Sequence, residues 1–296
     1  MPVATAERVR TTDGLLLVDK PAGVSSHDVV LAARRAFGEK RIGHAGTLDP
    51  FATGLLVLML GRATRLLPYL DGEPKAYDAT IRFGAETDTE DLLGEVTRTA
   101  PPPTDEAIRA AIPRLTGEIS QMPPAYSAKR VGGKRAYALA RAGEAPALQP
   151  VTVRVYEWRL GARRGDELDA TVLCGGGTYV RSLARDLGRL TDSAAHLSAL
   201  RRTRSGPFTI EGAPTLDDVR EGRAALLSPL AGLPGLPVER LEEEAIAKIV
   251  RGIDVAASDA ADATHGALVS AATGQLVALA ERRGDRWQPR VVMRDG

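Results

Sequence analysis

The sequence predicts an α+β fold followed by a small, β-rich C-terminal domain. Some stretches alternate apolar and polar residues, as in Tyr77 to Phe83, and others repeat apolar residues at helical spacing, as in 180–190. A segment rich in proline and glycine, 226–237, then precedes about 60 residues with one short helix and several strand-like pieces. We therefore place a large domain at 1–232 and a small one at 233–296.

The first elements follow from short apolar runs and the residues that flank them. The runs at 14–19 and 55–60 are bounded by turn residues, so both predict buried strands. Between them, Ser25 or Ser26 can cap a helix that ends at Phe37, because the glycine that follows readily adopts a left-handed conformation.

The middle of the large domain shows one strand, one loop and one helix. The alternation at 77–83 predicts a strand with one buried face. The acidic stretch 86–95 and the three prolines at 101–103 predict a loop. Thr104 then caps a helix to about Leu115, whose first turn carries two acidic side chains at the positive end of the helix dipole.

The remaining elements are two strands and a glycine-initiated helix, followed by the small domain. Valines at alternate positions of 151–155 and the run at 168–174 predict strands, and three consecutive glycines lead into a helix over 180–190. Its apolar residues share one face, and its arginines, four residues apart, form a separate stripe. These arginines are Arg181, Arg185 and Arg189. In the small domain we predict a helix at 242–251 and strands near 267–270, 275–280 and 289–293.

The net charge of +1 at pH 7 conceals a strong segregation of charge along the chain. Counting Lys, Arg, Asp and Glu gives +3 for 1–70, −6 for 71–113, +8 for 114–205 and −4 for 206–296. The +8 stretch can present a basic face to a polyanion such as a nucleic acid. A solvated basic surface without a partner is the alternative that charge alone leaves open.

Composition excludes several classes of protein. The single cysteine, Cys174, excludes an internal disulfide framework and zinc sites that need two or more thiolates from one chain. No run reaches the ~18 apolar residues of a membrane span, and the N-terminal stretch lacks the apolar segment of a secretory signal. We therefore expect a cytoplasmic protein that makes no contact with a membrane.

The common cofactor and metal motifs are absent from the sequence. The chain has no G-x-x-x-x-G-K-[ST] phosphate loop, no strand-linked dinucleotide motif and no H-E-x-x-H motif. No two of its four histidines lie at the spacing of metal ligands. The sequence therefore predicts chemistry by carboxylates, tyrosines and arginines, with no cofactor and no metal.

The most unusual stretch is G-H-A-G-T-L-D-P-F-A-T-G at 43–54, which lies between two apolar elements. Three glycines and an Asp-Pro pair in twelve positions predict a structured loop that presents Asp49 at its tip. A purely structural aspartate is the alternative, since Asp before Pro commonly begins a turn and accepts a backbone hydrogen bond.

Six stretches between residues 14 and 206 resemble, in order, the motifs of the TruB family of tRNA pseudouridine synthases. They are GLLLVDKPAGVSSHDVV, RIGHAGTLDPFATGLL, KAYDATIRFGAETDTEDLLG, MPPAYSAKRVGGKRAYALARAG, GGGTYVRSLARDLG and AHLSALRRTRSG. The C-terminal segment resembles the family's small PUA-type RNA-binding domain only loosely. The resemblance implies a mixed, mainly antiparallel central sheet of the pseudouridine synthase type with a PUA-like C-terminal domain.

The resemblance also implies an activity and a set of site residues. The expected reaction converts uridine 55 in the tRNA T loop to pseudouridine, after the base has been turned out of its stack, with Asp49 as the catalytic aspartate. A guanidinium close by would favour the ionised carboxylate. The expected supporting residues are Arg181 for that charge, Tyr77 for stacking on uracil, Tyr179 and His44 near the nucleotide, and Leu200 in the pocket wall. An ordinary packing or surface role is the alternative for each of them.

By the same resemblance, an RNA-clasping insertion at 128–150 holds the T arm of tRNA, the expected partner. Phosphate contacts would come from basic side chains, and binding would then weaken steeply as salt rises. The predicted RNA-binding residues are Lys20, Lys129, Arg130, Lys134, Arg135, Arg141, Arg201, Arg202 and Arg204. We expect a monomer with no obligatory protein partner.

Two rival functions use the same features. A non-catalytic tRNA-folding chaperone that binds the T arm needs the same basic faces and a pocket for an unstacked base. An enzyme that acts on ribosomal RNA within a guide complex is the second rival, although the chain lacks the lysine-rich tails associated with that relative.

Overall fold

The computed structural model describes residues 12–70, 72–127, 130–131, 134–135, 147–258 and 263–294. The strands, in chain order, are β1 (Gly14–Lys20), β2 (Ile42–His44), β3 (Thr53–Leu60), β4 (Lys75–Phe83), β5 (Ala85–Thr87), β6 (Val96–Thr99), β7 (Gly117–Gln121), β8 (Arg130–Val131), β9 (Lys134–Arg135), β10 (Val151–Arg164), β11 (Glu167–Cys174), β12 (Ala195–Ser205), β13 (Phe208–Thr209), β14 (Val238–Leu241), β15 (Val255–Ala256), β16 (His265–Ser270), β17 (Leu276–Arg283) and β18 (Arg286–Val292). The α-helices are α1 (Ser26–Phe37), α2 (Asp105–Ala111), α3 (Val180–Leu190), α4 (Leu216–Arg220) and α5 (Glu243–Val250). Short 3₁₀ helices lie at Gly61–Tyr69, Ile112–Leu115 and Pro229–Gly232.

Nine strands form the central sheet of the larger part of the chain. Seven of them follow the spatial order β1-β3-β12-β4-β11-β10-β7, while β2 pairs with β3 and β13 with β12. Every pairing in this sheet is antiparallel except that between β3 and β12. The mixed, mainly antiparallel sheet expected from the sequence is therefore confirmed.

Helices cover one face of this sheet and form the main core with it. Val30 of α1 and Leu183 of α3 are buried together with Leu56 of β3 and Ile81 of β4. On β4 the buried positions are the alternate residues from Tyr77 to Phe83, as the period of two predicts.

The opposite face of β1 and β3 is covered by a second sheet, with strand order β14-β16-β17-β18-β15. Leu55, Val57 and Met59 of β3 are buried in one cluster with Leu279 of β17 and Val291 of β18. Strand β3 is thus apolar on both faces, which explains why its sequence shows no alternation. The β-rich C-terminal part is confirmed, and its sheet is packed on the central one.

The segment at 226–237 is packed rather than open. The backbones of Leu15 and Leu227 exchange two hydrogen bonds, of 3.0 and 2.8 Å. A 3₁₀ helix follows at Pro229–Gly232, and Leu233 is buried. The proline and glycine residues that suggested a linker therefore shape a short helix against β1, where the predicted domain boundary lies.

The predicted helices and strands are present, and the structure adds elements that the sequence does not predict, among them β6, β7, β14 and α4. Ser25 caps α1 through a reciprocal pair of hydrogen bonds with Asp28. Strand β12 has no signal in the sequence, because its arginines interrupt the apolar residues. The stretch 86–95, predicted as a loop, begins in β5, and Glu86, Glu90 and Asp91 within it are buried. No helix in the described ranges has both the length and the apolar content needed to cross a membrane.

Candidate active site

Asp49 lies in the loop between β2 and β3, and the residues on either side of it are fastened to α1 and β1. The Ser26 hydroxyl donates to the carbonyl of Leu48 at 3.0 Å and accepts from the backbone N–H of Leu48 at 2.9 Å. The carbonyl of Pro50 accepts from the backbone N–H of Gly23 at 2.8 Å. With both neighbours held in this way, the position of the Asp49 backbone is defined.

Lys20, one of the predicted RNA-binding residues, completes this support from the interior of the protein. Its side chain is fully buried, and its ammonium donates to the carbonyls of Pro21 at 2.9 Å, Val24 at 2.8 Å and Pro50 at 3.4 Å. Burial lowers the pKa of Lys20 to about 8, although the negative charge of Asp49 opposes that shift. Lys20 therefore holds the Asp49 loop from within.

Arg202 holds the same loop from the other side, and it too is buried. Its guanidinium donates to the carbonyls of Leu55 at 2.7 Å, Thr47 at 3.4 Å and Gly46 at 3.1 Å. The donors of Arg202 thus serve the backbone of the loop, and the residue also lines the cavity beside Asp49.

The Asp49 carboxylate forms a bidentate ion pair with Arg181. Arg181 Nε lies 2.8 Å from Asp49 Oδ2, and Arg181 Nη2 lies 3.2 Å from Asp49 Oδ1. The Asp49 side chain remains 34% exposed, whereas that of Arg181 is only 5% exposed. A buried guanidinium in this geometry fixes the orientation of the carboxylate through two charge-assisted hydrogen bonds and leaves one side of it open to a ligand.

Two backbone carbonyls fix the direction of the Arg181 guanidinium. Arg181 Nη1 donates to the carbonyl of Thr89 at 2.7 Å, and Nη2 donates to the carbonyl of Tyr126 at 2.9 Å. The Asp91 carboxylate lies 3.9 Å from Nη1. Because the guanidinium is planar, these contacts set the plane in which Asp49 is held.

A cavity of about 280 Å³ opens beside this pair. Its wall contains Asp49 and Arg181 together with Tyr77, Tyr179 and Leu200. Burial raises the pKa of Tyr77, whose hydroxyl is therefore neutral, and its ring lies in the wall of the cavity. The volume is at the lower end of small-ligand pockets, so the cavity has room for one nucleotide base and not for stacked bases.

Gln121 determines the backbone position of Tyr179 at the start of α3. The buried Gln121 amide donates to the carbonyl of Tyr179 at 3.0 Å and accepts from its backbone N–H at 2.9 Å. Tyr179 precedes the first residue of α3 and makes no side-chain capping hydrogen bond to the helix. Its side chain lies in the cavity wall.

A larger open groove of about 900 Å³ lies elsewhere on the central sheet. It is lined largely by residues such as Asp78, Thr80 and Thr171, which alternate with the inward-facing residues of their strands. Leu200 borders both spaces, but Asp49 and Arg181 border only the smaller one. The ion pair therefore lies at the smaller cavity.

Comparison with known proteins assigns the family. The model of the TruB family pseudouridylate synthase N-terminal domain matches residues 34–180, and the model of the tRNA pseudouridylate synthase B C-terminal domain matches 181–227. The chain belongs to the TruB family. It is therefore an enzyme, a pseudouridylate synthase that isomerises uridine in RNA.

TruB relatives resemble the chain over nearly its whole length. The tRNA pseudouridine synthase B of Thermobifida fusca is 45% identical over an alignment 292 residues long, which covers 95% of this chain and 98% of the relative. That of Mycobacterium bovis is 42% identical over an alignment 301 residues long, which covers 96% of this chain and 97% of the relative. Among solved structures, a Cbf5-Nop10-Gar1 complex contains a chain with a TM-score of 0.68 and 25% identity, over 95% of this chain and 85% of that one.

The structure brings most of the residues expected from the TruB resemblance to one place. Asp49, Tyr77, Tyr179, Arg181 and Leu200 line the cavity. His44, the last residue of β2, is half-buried and does not belong to the cavity wall in the described part of the chain.

The predicted RNA-binding residues are more scattered than the site residues. Arg201 forms an ion pair with Asp19 at 2.7 Å and lines the larger groove, and Arg204 is exposed with its Nε donating to the carbonyl of Gly206. Within 128–150, Arg130 pairs with Arg135 across the β8–β9 hairpin, which also contains Lys134. Lys129 and Arg141 lie outside the described residues.

The sequence analysis does not predict several residues that support the site. Gln121 and Ser26 act through hydrogen bonds to distant backbone, for which a sequence has no local signal. Ser127 lines the cavity with a buried hydroxyl that has no hydrogen-bond partner among the described residues. Lys75 also lines the cavity. No three His, Cys, Asp or Glu side chains of the described ranges lie close enough together to hold a metal ion.

Proposed function

We propose that this enzyme converts uridine 55 in the T loop of tRNA to pseudouridine, with Asp49 as the catalytic carboxylate. The observation that carries the proposal is the bidentate Asp49–Arg181 pair at the wall of a cavity that admits one base. The relatives named tRNA pseudouridine synthase B, at 42 to 45% identity, support tRNA as the substrate.

The reaction that the site must promote is an isomerisation. The bond between C1′ of the ribose and N1 of uracil breaks, the base rotates, and a bond forms between C1′ and C5. The proton on C5 is lost and N1 gains a proton, so no electrons are exchanged with a cofactor. These atoms are shielded while the base is stacked, so the nucleotide must first be turned out at a cost of a few kcal/mol.

The cavity wall supplies what the turned-out nucleotide needs. Stacking on an aromatic ring such as that of Tyr77 contributes about 1 to 3 kcal/mol per base, which offsets much of the cost of unstacking. Leu200 bounds the pocket, and Arg181 orients the Asp49 carboxylate at the open side of the cavity. The site thus combines one carboxylate with an aromatic ring and an apolar side chain that can hold a base.

Three roles fit a carboxylate at this position: attack on C1′ of the ribose, attack on the base, and removal of the proton from C2′ to form a glycal. Deuterium at C2′ separates them. A primary isotope effect on single-turnover conversion supports the glycal route, and its absence supports one of the two addition routes.

Further parts of the proposal concern how the RNA is held. The basic insertion at 128–150 would clasp the T arm through phosphate contacts, and the C-terminal sheet would act as a PUA-like RNA-binding domain. We also propose a monomer that works without an obligatory protein partner. Since tRNA is the substrate, we place the reaction in the cytoplasm.

The test is incubation of unmodified tRNA with the pure protein, without added metal, followed by chemical mapping of pseudouridine. We expect product at position 55 and none in tRNA that carries cytidine there. Asp49→Asn should abolish product while leaving tRNA binding largely intact. Asp78→Asn is the matched control, since Asp78 faces the larger groove. Product formation by Asp49→Asn would refute the role of Asp49, and binding without product in the wild type would favour a chaperone.

A further inference from the structure

Arg185 lies one helical turn after Arg181 and repeats its pattern of contacts. Arg181 donates to one carbonyl in segment 86–91 and to another in segment 122–127. Arg185 binds the carboxylate of Glu90 in segment 86–91. It also donates to the carbonyl of Met122, in segment 122–127, at 3.0 Å. The two arginines therefore fasten the same pair of segments to α3 at two successive levels.

The Glu90–Arg185 pair is buried and highly constrained. Both side chains are less than 10% exposed, and the second oxygen of the Glu90 carboxylate accepts from the Ser182 hydroxyl at 2.8 Å. Glu90 has φ of 62°, a left-handed conformation that is uncommon for a residue with a side chain. A buried pair with several hydrogen bonds fixes its surroundings in one arrangement, because separating the charges would leave one of them unpaired.

We propose that Glu90 and Arg185 are positioning residues for the reaction, which orient the Arg181 guanidinium and, through it, the Asp49 carboxylate. This rests on the proposed function. Glu90 follows directly after Thr89, whose carbonyl accepts from Arg181, so a shift of Glu90 moves that carbonyl. A misplacement of about 1 Å in a catalytic group can slow a reaction by about 100-fold.

The next turn of α3 contains a matched control pair. Arg189 binds Glu86, which is buried in the same acidic segment and also accepts from Arg98 at 2.8 Å. The Arg189 side chain is 56% exposed, and neither residue contacts Arg181 or a segment carbonyl that Arg181 uses. Glu86 and Glu90 thus differ in their connection to the site while sharing residue type, segment and kind of partner.

The experiment compares Glu90→Gln with Glu86→Gln. Single-turnover rate constants are measured at saturating tRNA, and the Kd for tRNA is measured separately. We expect Glu90→Gln to lower the rate constant by about 10- to 100-fold with Kd within about twofold of the wild type. Glu86→Gln should retain the wild-type rate constant at a temperature where it is folded. An unchanged rate constant in Glu90→Gln, or an equal loss in both variants, would overturn the proposal.

Coupling to Arg181 supplies a second readout. If Glu90 acts through Arg181, then Glu90→Gln should slow the Arg181→Lys enzyme by much less than it slows the wild type. Fully additive losses would contradict the proposal. If Glu90→Gln does not fold, Ser182→Ala replaces it, since it removes the hydrogen bond to Glu90 and retains the ion pair. The expected slowing is then about 2- to 10-fold, and an unchanged rate constant overturns the proposal.

The proposed function and the positioning role fail in different ways. Absence of pseudouridine with the wild type, or activity of Asp49→Asn, refutes the proposed function itself. An active wild type, an inactive Asp49→Asn and a fully active Glu90→Gln refute only the positioning role.

Discussion

Removal of the C-terminal sheet should unfold the catalytic part rather than only weaken RNA binding. A chain that ends at residue 232 loses the strands that cover the outer face of β1 and β3. Leu15, Leu55, Val57 and Met59 are at most 2% exposed in the full chain and would face water in the truncated one. At about 1.5 to 3 kcal/mol per side chain, exposure of these four residues costs about 6 to 12 kcal/mol. That is comparable with the total stability of a typical domain, about 5 to 15 kcal/mol.

The assay is thermal unfolding followed by circular dichroism, together with size-exclusion chromatography of the chain 1–232. We expect aggregation, or a transition far below that of the full chain. Leu279→Ala in the full chain tests the same contact without truncation and should lower the free energy of unfolding by about 2 to 5 kcal/mol. A monomeric chain 1–232 with a Tm within a few degrees of the full chain would refute the reasoning, since the second sheet would then contribute little to stability.

Three further predictions concern pH, backbone geometry and thiol reactivity. The pKa of Lys20 is about 8 in the folded protein, below the 10.5 of an unperturbed lysine. Between these two pH values the folded state therefore binds fewer protons than the unfolded chain, and the free energy of unfolding rises with pH. The contribution of Lys20 to the free energy of unfolding should rise by about 2 kcal/mol from about pH 7.5 to about pH 9.5. Urea unfolding of Lys20→Met should lack that rise. Equal pH dependence of the free energy of unfolding in Lys20→Met and the wild type would contradict the prediction. Gly54→Ala should lower the free energy of unfolding, measured in urea, by about 2 to 5 kcal/mol, because the φ of Gly54 is +102° and the new Cβ would lie 2.3 Å from the carbonyl oxygen of Arg202. Gly23 is the control: its φ is also positive, but a Cβ there would meet no other atom, so Gly23→Ala should lower the free energy of unfolding by only about 1 to 2 kcal/mol. Burial raises the pKa of Cys174 to about 11, so a thiol reagent at about pH 8 should modify it only after unfolding; rapid labelling of the native enzyme would show that it is accessible.

The local elements and the loop that presents Asp49 could be predicted because their signals are local. The cap at Ser25, the alternation at 77–83 and the apolar stripe of α3 each depend on residues within a few positions of one another. The loop around Asp49 is evident from its glycines and its Asp-Pro pair, and the family resemblance adds Arg181. The structure places these two side chains in contact.

The burial of charged residues could not be predicted from the sequence. Lys20 and Arg202 are basic residues in motifs, which suggests RNA contact, but both donate to backbone carbonyls in the interior. The acidic stretch 86–95 has the composition of a loop, although Glu86 and Glu90 are spaced as Arg185 and Arg189 are. That matching spacing of four residues is a signal that could have indicated the pairing along α3.

The order of residues along the chain specifies the elements, the apolar faces that make a core and the types of side chain available for catalysis. It does not specify which charges meet, because pairs such as Asp49 with Arg181 are 132 residues apart and their contact depends on how the sheet and α3 are packed. Periodicity and capping are short-range properties of the chain. The burial and pairing of a charge depend on every segment that surrounds it in the folded protein.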